Sequence, residues 1–148
     1  MLISAAYGQT TTIYFIRHAE KADESKDPDL SAEGKERAKQ WAAFFADKNI
    51  AVIYSTPYKR TMHTASPLSQ QNKIDLLMYE ASKPDFTTIL KKYKGKTILI
   101  VGHSNTIPDY INKLVHEKQY TDIDENEYNH LYTVTVNGSY ITSKLEKI

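Results

Sequence analysis

Residues 12–20 read TIYFIRHAE, an apolar and β-branched run that ends abruptly in ionisable side chains. Such a run is typical of a strand that is buried on both faces, as the strands of parallel sheets are. Residues 97–105, TILIVGHSN, repeat the arrangement later in the chain, with a glycine where the apolar run stops. These two stretches predict buried strands of a parallel sheet, each followed directly by residues that can carry chemistry.

Helical patterns separate the predicted strands. An apolar face at helical spacing predicts an amphipathic helix over residues 32–47, with Ser31 as its N-cap; the face consists of Ala38, Trp41, Ala42 and Phe45. Further strands are predicted over 50–54 and 73–78, and further helices are predicted to begin at Pro57, Pro84 and Asn105. Strand and helix thus alternate four times, which indicates an α/β fold.

The end of the chain follows a different pattern. Residues 131–136 alternate between apolar and polar side chains, and Asn137-Gly138 is a type I′ turn signal. Residues 139–145 are expected to form the second strand of a hairpin. An antiparallel hairpin at the edge of a parallel sheet is a common arrangement. The sequence therefore predicts a three-layer α/β/α sandwich with a mainly parallel sheet and a C-terminal β-hairpin at its edge.

Composition narrows the possible functions. The 148 residues suit one domain, and a net charge of +1 argues against a general role on nucleic acid or on a membrane surface. The absence of cysteine excludes disulfides, thiolate catalysis and cysteine-based zinc sites, and the histidines do not have the spacing of metal ligands. No apolar run approaches the roughly 20 residues of a membrane-spanning helix.

The first residues are interpreted separately from the domain. Residues 1–11, MLISAAYGQTT, are expected to be either a disordered leader or the remnant of a cleaved export signal, and residues 12–148 are expected to form a single domain. A short apolar piece followed by small residues slightly favours the signal remnant. The absence of cysteine fits the cytosol and the periplasm equally well. The apolar leader therefore slightly favours, on its own, a periplasmic or secreted protein over a cytoplasmic one.

The ends of three predicted strands carry cationic and histidine side chains. Arg17 and His18 follow the first strand, Arg60 lies shortly after the second, and His103 follows the fourth. Ligands of open α/β sheets bind at the carboxyl ends of the strands, so we expect these four side chains to meet. Arginine binds phosphate oxygens in a bidentate manner, and neutral imidazole is a nucleophile near pH 7. The pattern predicts a phosphate site, to which the helix start at Ser104 adds backbone N–H groups.

Three blocks in this order resemble the histidine phosphatase superfamily, which includes phosphoglycerate mutases and the short bacterial phosphohistidine phosphatases. The blocks are Arg17-His18, the stretch from Ser55 through Arg60 to Ala65, and Gly102-His103-Ser104-Asn105. The resemblance runs from about Thr12 to Val136. It implies a phosphohistidine intermediate on His18, phosphate binding by Arg17, Arg60 and His103, and no metal or organic cofactor.

The departures from the family pattern bear on the reaction. Ala19 stands where glycine is most common, Glu24 stands where mutase-like members often have asparagine, and the long insertions of mutases are missing. These differences favour hydrolysis over mutase action. The resemblance also implies a leaving-group acid after the third strand, where Glu80 stands; the alternative is a solvated surface glutamate.

The expected substrate is a phosphorylated small molecule or a phosphoprotein. The alternative from another class is a catalytically silent module that binds phosphate or a phosphoprotein with the same pocket.

The acidic run TDIDENEY, residues 121–128, is expected to be a solvated loop before the last hairpin. The oligomeric state is left open.

Overall fold

Six strands form one mixed sheet in the computed structural model, which describes residues 10–148. The strand order is β3-β2-β4-β1-β5-β6. The strands are β1 (Thr11–Arg17), β2 (Ile50–Ser55), β3 (Leu76–Met78), β4 (Thr97–Gly102), β5 (His130–Asn137) and β6 (Tyr140–Lys147). The first four run parallel, whereas β5 pairs antiparallel with β1 and β6 pairs antiparallel with β5. The predicted parallel sheet with a C-terminal hairpin at its edge is confirmed.

Four helices cover the two faces of this sheet. They are α1 (Ala32–Phe45), α2 (Lys59–Asn72), α3 (Phe86–Lys92) and α4 (Thr106–Val115). Trp41 and Phe45 of α1 and Leu68 of α2 pack with Ile16 in one buried cluster, while Ile89 of α3 and Ile107 of α4 belong to another. The layers are therefore helix, sheet and helix, as predicted.

The central strands are apolar because both of their faces are buried. Ile13 and Phe15 of β1 pack in the cluster with α3 and α4, whereas Ile16 packs in the cluster with α1 and α2. Ile98 and Leu99 of β4 divide between the clusters in the same way. This double burial explains the continuous apolar runs in the sequence.

Helix α1 begins as the sequence predicts. The Ser31 hydroxyl accepts a hydrogen bond from the Gly34 N–H at 3.0 Å, which caps the first turn. Gly34 also lies against the chain just after β1, where an added Cβ would stand 2.2 Å from the backbone oxygen of Glu20. Only glycine allows the first turn of α1 to come this close.

Two helix starts differ from the sequence prediction. Helix α2 begins at Lys59 after Tyr58, and not at Pro57; helix α3 begins at Phe86 after Asp85, and not at Pro84. The backbone of Tyr58 is extended, and the Asp85 carboxylate accepts from the Thr88 N–H, so each helix starts one residue after these positions. Strand β3 covers only the last three residues of the predicted 73–78 strand.

Strand β1 begins at Thr11, one residue before the domain start that the sequence predicts. Thr11 is already paired in β1, and its hydroxyl accepts a hydrogen bond from the Gly95 N–H at 2.9 Å, so the ordered sheet starts one residue before position 12. The expected leader or signal remnant falls mainly on residues 1–9, which lie outside the described residues. Within residues 10–148, no helix has the length and apolar character needed to cross a bilayer.

Candidate active site

The parallel pairing of β1 with β4 brings the two predicted histidines together. Arg17 stands opposite Gly102 in the register, and the His18 N–H donates to the Gly102 carbonyl at 2.9 Å. His18 comes directly after Arg17, and His103 comes directly after Gly102. Their ring centroids lie 5.6 Å apart. The sequence blocks at the two strand ends therefore form one site.

A pocket of about 360 Å³ opens above this strand edge. It contains five of the six predicted site residues: Arg17, His18, Arg60, His103 and Ser104. The other lining residues are Lys21, Tyr58, Ala81, Asn105, Thr106 and Glu125. Three cationic side chains and one carboxylate-bearing residue thus surround the pocket, which favours an anionic ligand.

His18 is poised as a nucleophile. Its Nδ1 lies 2.7 Å from the Ala19 carbonyl, which can only accept, so Nδ1 carries the proton and Nε2 keeps its lone pair. The side chain is only 5% exposed. Burial, together with the charges of Arg17 and Arg60 and with His103, lowers the pKa of His18 to about 3, although the bond to Ala19 acts the other way. His18 is therefore neutral at physiological pH.

His103 is held by hydroxyl groups at the end of β2. Its Nε2 lies 2.8 Å from the Thr56 hydroxyl, which is also 2.8 Å from the Thr61 hydroxyl. Burial and the charges of Arg60 and Arg17 lower the pKa of His103 to about 4. A bound dianion acts in the opposite direction, because an opposite charge favours the protonated ring. His103 can thus become cationic when phosphate binds.

Arg17 is anchored by the acidic segment that precedes β5. Its Nη1 donates to the carbonyls of Asp124 at 3.2 Å, Glu125 at 2.9 Å and Glu127 at 2.9 Å. Its guanidinium carbon also lies 4.2 Å from the centroid of the Tyr128 ring. Arg17 is 6% exposed, so these contacts replace water around a buried charge.

Residues 121–128 form a loop with mostly exposed side chains before the last hairpin, as the sequence predicts, but the backbone of this loop also holds Arg17. The side chains of Asp124 and Glu125 are exposed, but their backbone carbonyls hold Arg17, and Glu125 lines the pocket. The missed signal is topological. Because β5 runs antiparallel beside β1, the segment before β5 must arrive at the edge where β1 ends.

Arg60 projects from the first turn of α2. Its guanidinium carbon lies 4.6 Å from the centroid of the Tyr58 ring. None of the salt bridges among residues 10–148 involves Arg60, so no ion pair with a surface carboxylate accounts for its charge there. Its charge remains for a ligand of the pocket.

The Thr64 hydroxyl connects the chain just after His18 to helix α2. The Ala19 N–H donates to the Thr64 hydroxyl at 2.8 Å, and this hydroxyl donates to the Arg60 carbonyl at 2.7 Å. Ala19 is fully buried at this point. The bonds tie the residue after the nucleophile to the helix that carries Arg60.

Glu80 is not brought into the pocket lining. It follows β3 with an exposed side chain, its carbonyl accepts from the Lys83 N–H at 3.1 Å, and the next residue, Ala81, lines the pocket. Its role as an acid stays a prediction. Among residues 10–148, no three histidine or acidic side chains are grouped in a way that could hold a metal ion.

Comparisons with known proteins show which family the sequence resembles. Residues 13–83 match the sequence profile of the histidine phosphatase superfamily, branch 1. Phosphoserine phosphatase 1 of Hydrogenobacter thermophilus is 33% identical over 72 residues, which are 44% of this chain and 34% of that protein. The match thus spans about a third of the length of this curated relative.

Solved structures share the fold over nearly their whole length. A phosphoserine phosphatase mutant of Entamoeba histolytica is 16% identical with a TM-score of 0.73, and covers 90% of this chain and 95% of its own. The alpha-ribazole phosphatase of Shigella flexneri is 14% identical with a TM-score of 0.76, covering 93% and 96%. A candidate phosphohistidine phosphatase, SixA of Agrobacterium tumefaciens, is 17% identical with a TM-score of 0.67, covering 93% and 98%. At these identities the likeness concerns the fold.

Proposed function

We propose that this chain is a phosphatase of the histidine phosphatase superfamily and that it acts through a phosphohistidine on His18. Its substrates are phosphomonoesters or protein phosphohistidine. The observation that carries the proposal is the state of His18: a buried, neutral imidazole with its proton on Nδ1, facing a cationic pocket. A neutral Nε2 is the form that can attack phosphorus.

The reaction proceeds in two displacements. His18 Nε2 forms a bond to phosphorus while the bond from phosphorus to the leaving oxygen or nitrogen breaks, and the leaving atom takes up a proton. Water then attacks the phosphohistidine, the N–P bond breaks, and inorganic phosphate and neutral His18 are restored. Each step moves negative charge among the phosphoryl oxygens, which cationic groups stabilise.

Three side chains supply that positive charge. Arg17 uses Nη1 on the backbone carbonyls, and its Nη2, which makes no hydrogen bond within the described residues, is left for phosphoryl oxygens. Arg60 stands on the other side of the same pocket, and His103 gains a proton as the dianion binds. Ser104, at the start of α4, adds hydrogen-bond donors.

The proton for the leaving group has two candidate sources. We retain Glu80 as the proposed acid, because it directly precedes Ala81 in the pocket lining. Glu125 is the second candidate, since it lines the pocket itself. A phosphohistidine substrate depends less on either residue, because imidazole leaves readily.

The test is single-turnover hydrolysis of a generic aryl phosphate by the full chain. The wild-type protein is expected to form a protein-bound phosphate that is acid-labile and base-stable, and His18→Ala is expected to form none. His63→Ala is the matched control, because His63 is exposed and does not line the pocket. Turnover by His18→Ala near the wild-type rate would refute the covalent mechanism.

The same measurements distinguish a silent binding module. Such a module would bind vanadate or phosphate through Arg17 and Arg60 but would show no turnover with any phosphomonoester or phosphohistidine protein. A panel that contains both substrate classes also decides which of them the enzyme prefers.

A further inference from the structure

A second cavity adjoins the phosphate pocket. It has a volume of about 500 Å³ and lies between the segment that precedes α3 and the outer side of α4. Ala81 and Thr106 line both this cavity, which we call the side groove, and the phosphate pocket. A molecule bound in the pocket can therefore extend past these two residues into the side groove.

The side groove has an apolar surface that the phosphate pocket does not have. Its apolar lining consists of Ala81, Pro84, Phe86, Tyr110 and Leu114, and its polar and charged lining consists of Ser82, Lys83, Thr106, Asp109 and Lys113. Phe86 and Tyr110 contact each other edge to face, with ring centroids 5.1 Å apart, so they present a fixed aromatic surface. Lysines at positions 83 and 113 border this surface. The side groove thus combines an apolar wall with polar groups at its border, as small-molecule sites do.

The phosphate pocket offers an apolar group no comparable place. Apart from Tyr58 and Ala81, its described lining is polar or charged. The phosphoryl group itself occupies the cationic part near His18. The apolar route out of the pocket thus leads past Ala81, which directly follows the proposed acid Glu80.

We infer that the side groove binds the leaving group, and that the preferred substrates are phosphomonoesters of alcohols with an extended apolar body. This inference rests on the proposed phosphatase function and adds the class of substrate to it. The physical reason is that apolar surface gains free energy by leaving water, at about 0.8 kcal/mol for each buried methylene. Compact, highly polar leaving groups gain nothing from these walls.

The first test compares ethyl, butyl and hexyl phosphate. Their leaving groups are alkoxides of similar basicity, so the chemical step is matched and kcat/KM reports binding of the chain. We expect kcat/KM to rise with chain length, by up to about fourfold for each fully buried methylene. No rise along the series would overturn the inference.

Two variants locate the effect. Leu114→Ser removes part of the apolar wall, and Ser82→Trp fills the groove; both are expected to flatten the dependence of kcat/KM on chain length. Leu90→Ser is the matched control, since Leu90 is also a half-buried leucine but lines a different cavity. An unchanged chain-length dependence in both folded groove variants would place the chain elsewhere and contradict the inference.

A binding measurement keeps this test separate from the test of catalysis. Ethyl, butyl and hexyl phosphonate are not hydrolysed, and their dissociation constants can be measured on the full-length chain by calorimetry. Tighter binding of the longer phosphonates without turnover would support the groove and refute the phosphatase. Turnover of an aryl phosphate with no dependence on chain length in either assay would support the phosphatase and refute the groove.

Discussion

The guanidinium of Arg17 owes its position to neutral groups. Three backbone carbonyls and the face of Tyr128 surround it, and the acidic side chains of the same segment make none of these hydrogen bonds. Tyr128 also approaches His18, with ring centroids 6.2 Å apart. One aromatic ring therefore contacts the two residues of the first motif.

This contact makes Tyr128 a positioning residue for phosphate binding. Tyr128→Leu is expected to weaken vanadate inhibition about fivefold, because a cation–π contact contributes roughly 1 kcal/mol. Tyr128→Phe keeps the ring face and should bind vanadate like the wild type. The measurement is the vanadate inhibition constant of each variant. Equal weakening in both variants would indicate that the hydroxyl matters and not the ring.

Glu80 can be tested through the leaving group. If it is the acid, Glu80→Gln should slow phosphoenzyme formation from an alkyl phosphate by about 100-fold or more, within the usual range of general acid catalysis. An aryl phosphate with an acidic leaving group should be nearly unaffected. Single-turnover kinetics on the two substrates measures this difference, and Glu125→Gln provides the parallel variant. Equal slowing on both substrates would assign Glu80 to binding or structure.

At the scale of elements, the first turn of α1 supports the chain just after the nucleophile. Ser31 N–H donates to the Glu20 carbonyl at 2.9 Å, and Gly34 packs against the same peptide. The Glu20 carboxylate in turn accepts from Arg37 of this helix at 2.9 Å. Helix α1 thus fixes the backbone two residues beyond His18.

Gly34→Ala is expected to destabilise the protein although alanine favours helices. The new Cβ would stand 2.2 Å from a backbone oxygen, and overpacking of this kind costs about 1–3 kcal/mol. The helix propensity gain of about 1 kcal/mol offsets only part of this. Urea unfolding of Gly34→Ala, with Lys35→Ala as an exposed control in the same turn, measures the balance. Unchanged or increased stability would show that the first turn can move away without cost.

The elements that the sequence predicted well are those whose apolar positions are buried in the core. Strands β1 and β4 and helix α1 follow from apolar periodicity, since each apolar position has a partner in the core. The pocket residues Arg17, His18, Arg60 and His103 followed from where those strands end. Tyr128 and Thr56 could not be assigned in this way, because their roles depend on contacts between segments that are distant in sequence. Thr56 holds His103 across 47 positions of the chain.

At the scale of the whole molecule, a nearly neutral chain contains a strongly cationic site. The net charge of +1 reflects 19 basic and 18 acidic residues, but the pocket lining contains three cations and one acidic residue. The buried neutral histidines add a dependence on pH that the net charge does not indicate.

We expect the free energy of unfolding to fall as the pH is lowered from about 6.5. In the unfolded chain His18 and His103 take up protons near their ordinary pKa of 6.5, whereas in the folded protein they do so only at about 3 and about 4. Between these values the unfolded state binds more protons, so acid favours unfolding.

Urea unfolding between pH 6.5 and 5 measures this effect above the range in which most carboxylates titrate. The double variant His18→Asn/His103→Asn should show a smaller loss of stability over this interval than the wild type. His63→Asn/His116→Asn serves as the control, because both of its histidines are exposed. A wild-type slope equal to that of the double variant would contradict the assignment of neutral histidines.

The anchoring of Arg17 also has a consequence for the order in which the site forms during translation. The three carbonyls that hold Arg17 lie 107 to 110 positions later in the chain. A ribosome that has released β1, β2 and β4 has therefore delivered every proposed phosphate ligand, but not the segment that fixes the first of them. Phosphate affinity should consequently appear late in synthesis, only after residues up to Tyr128 have left the exit tunnel and β5 has paired with β1.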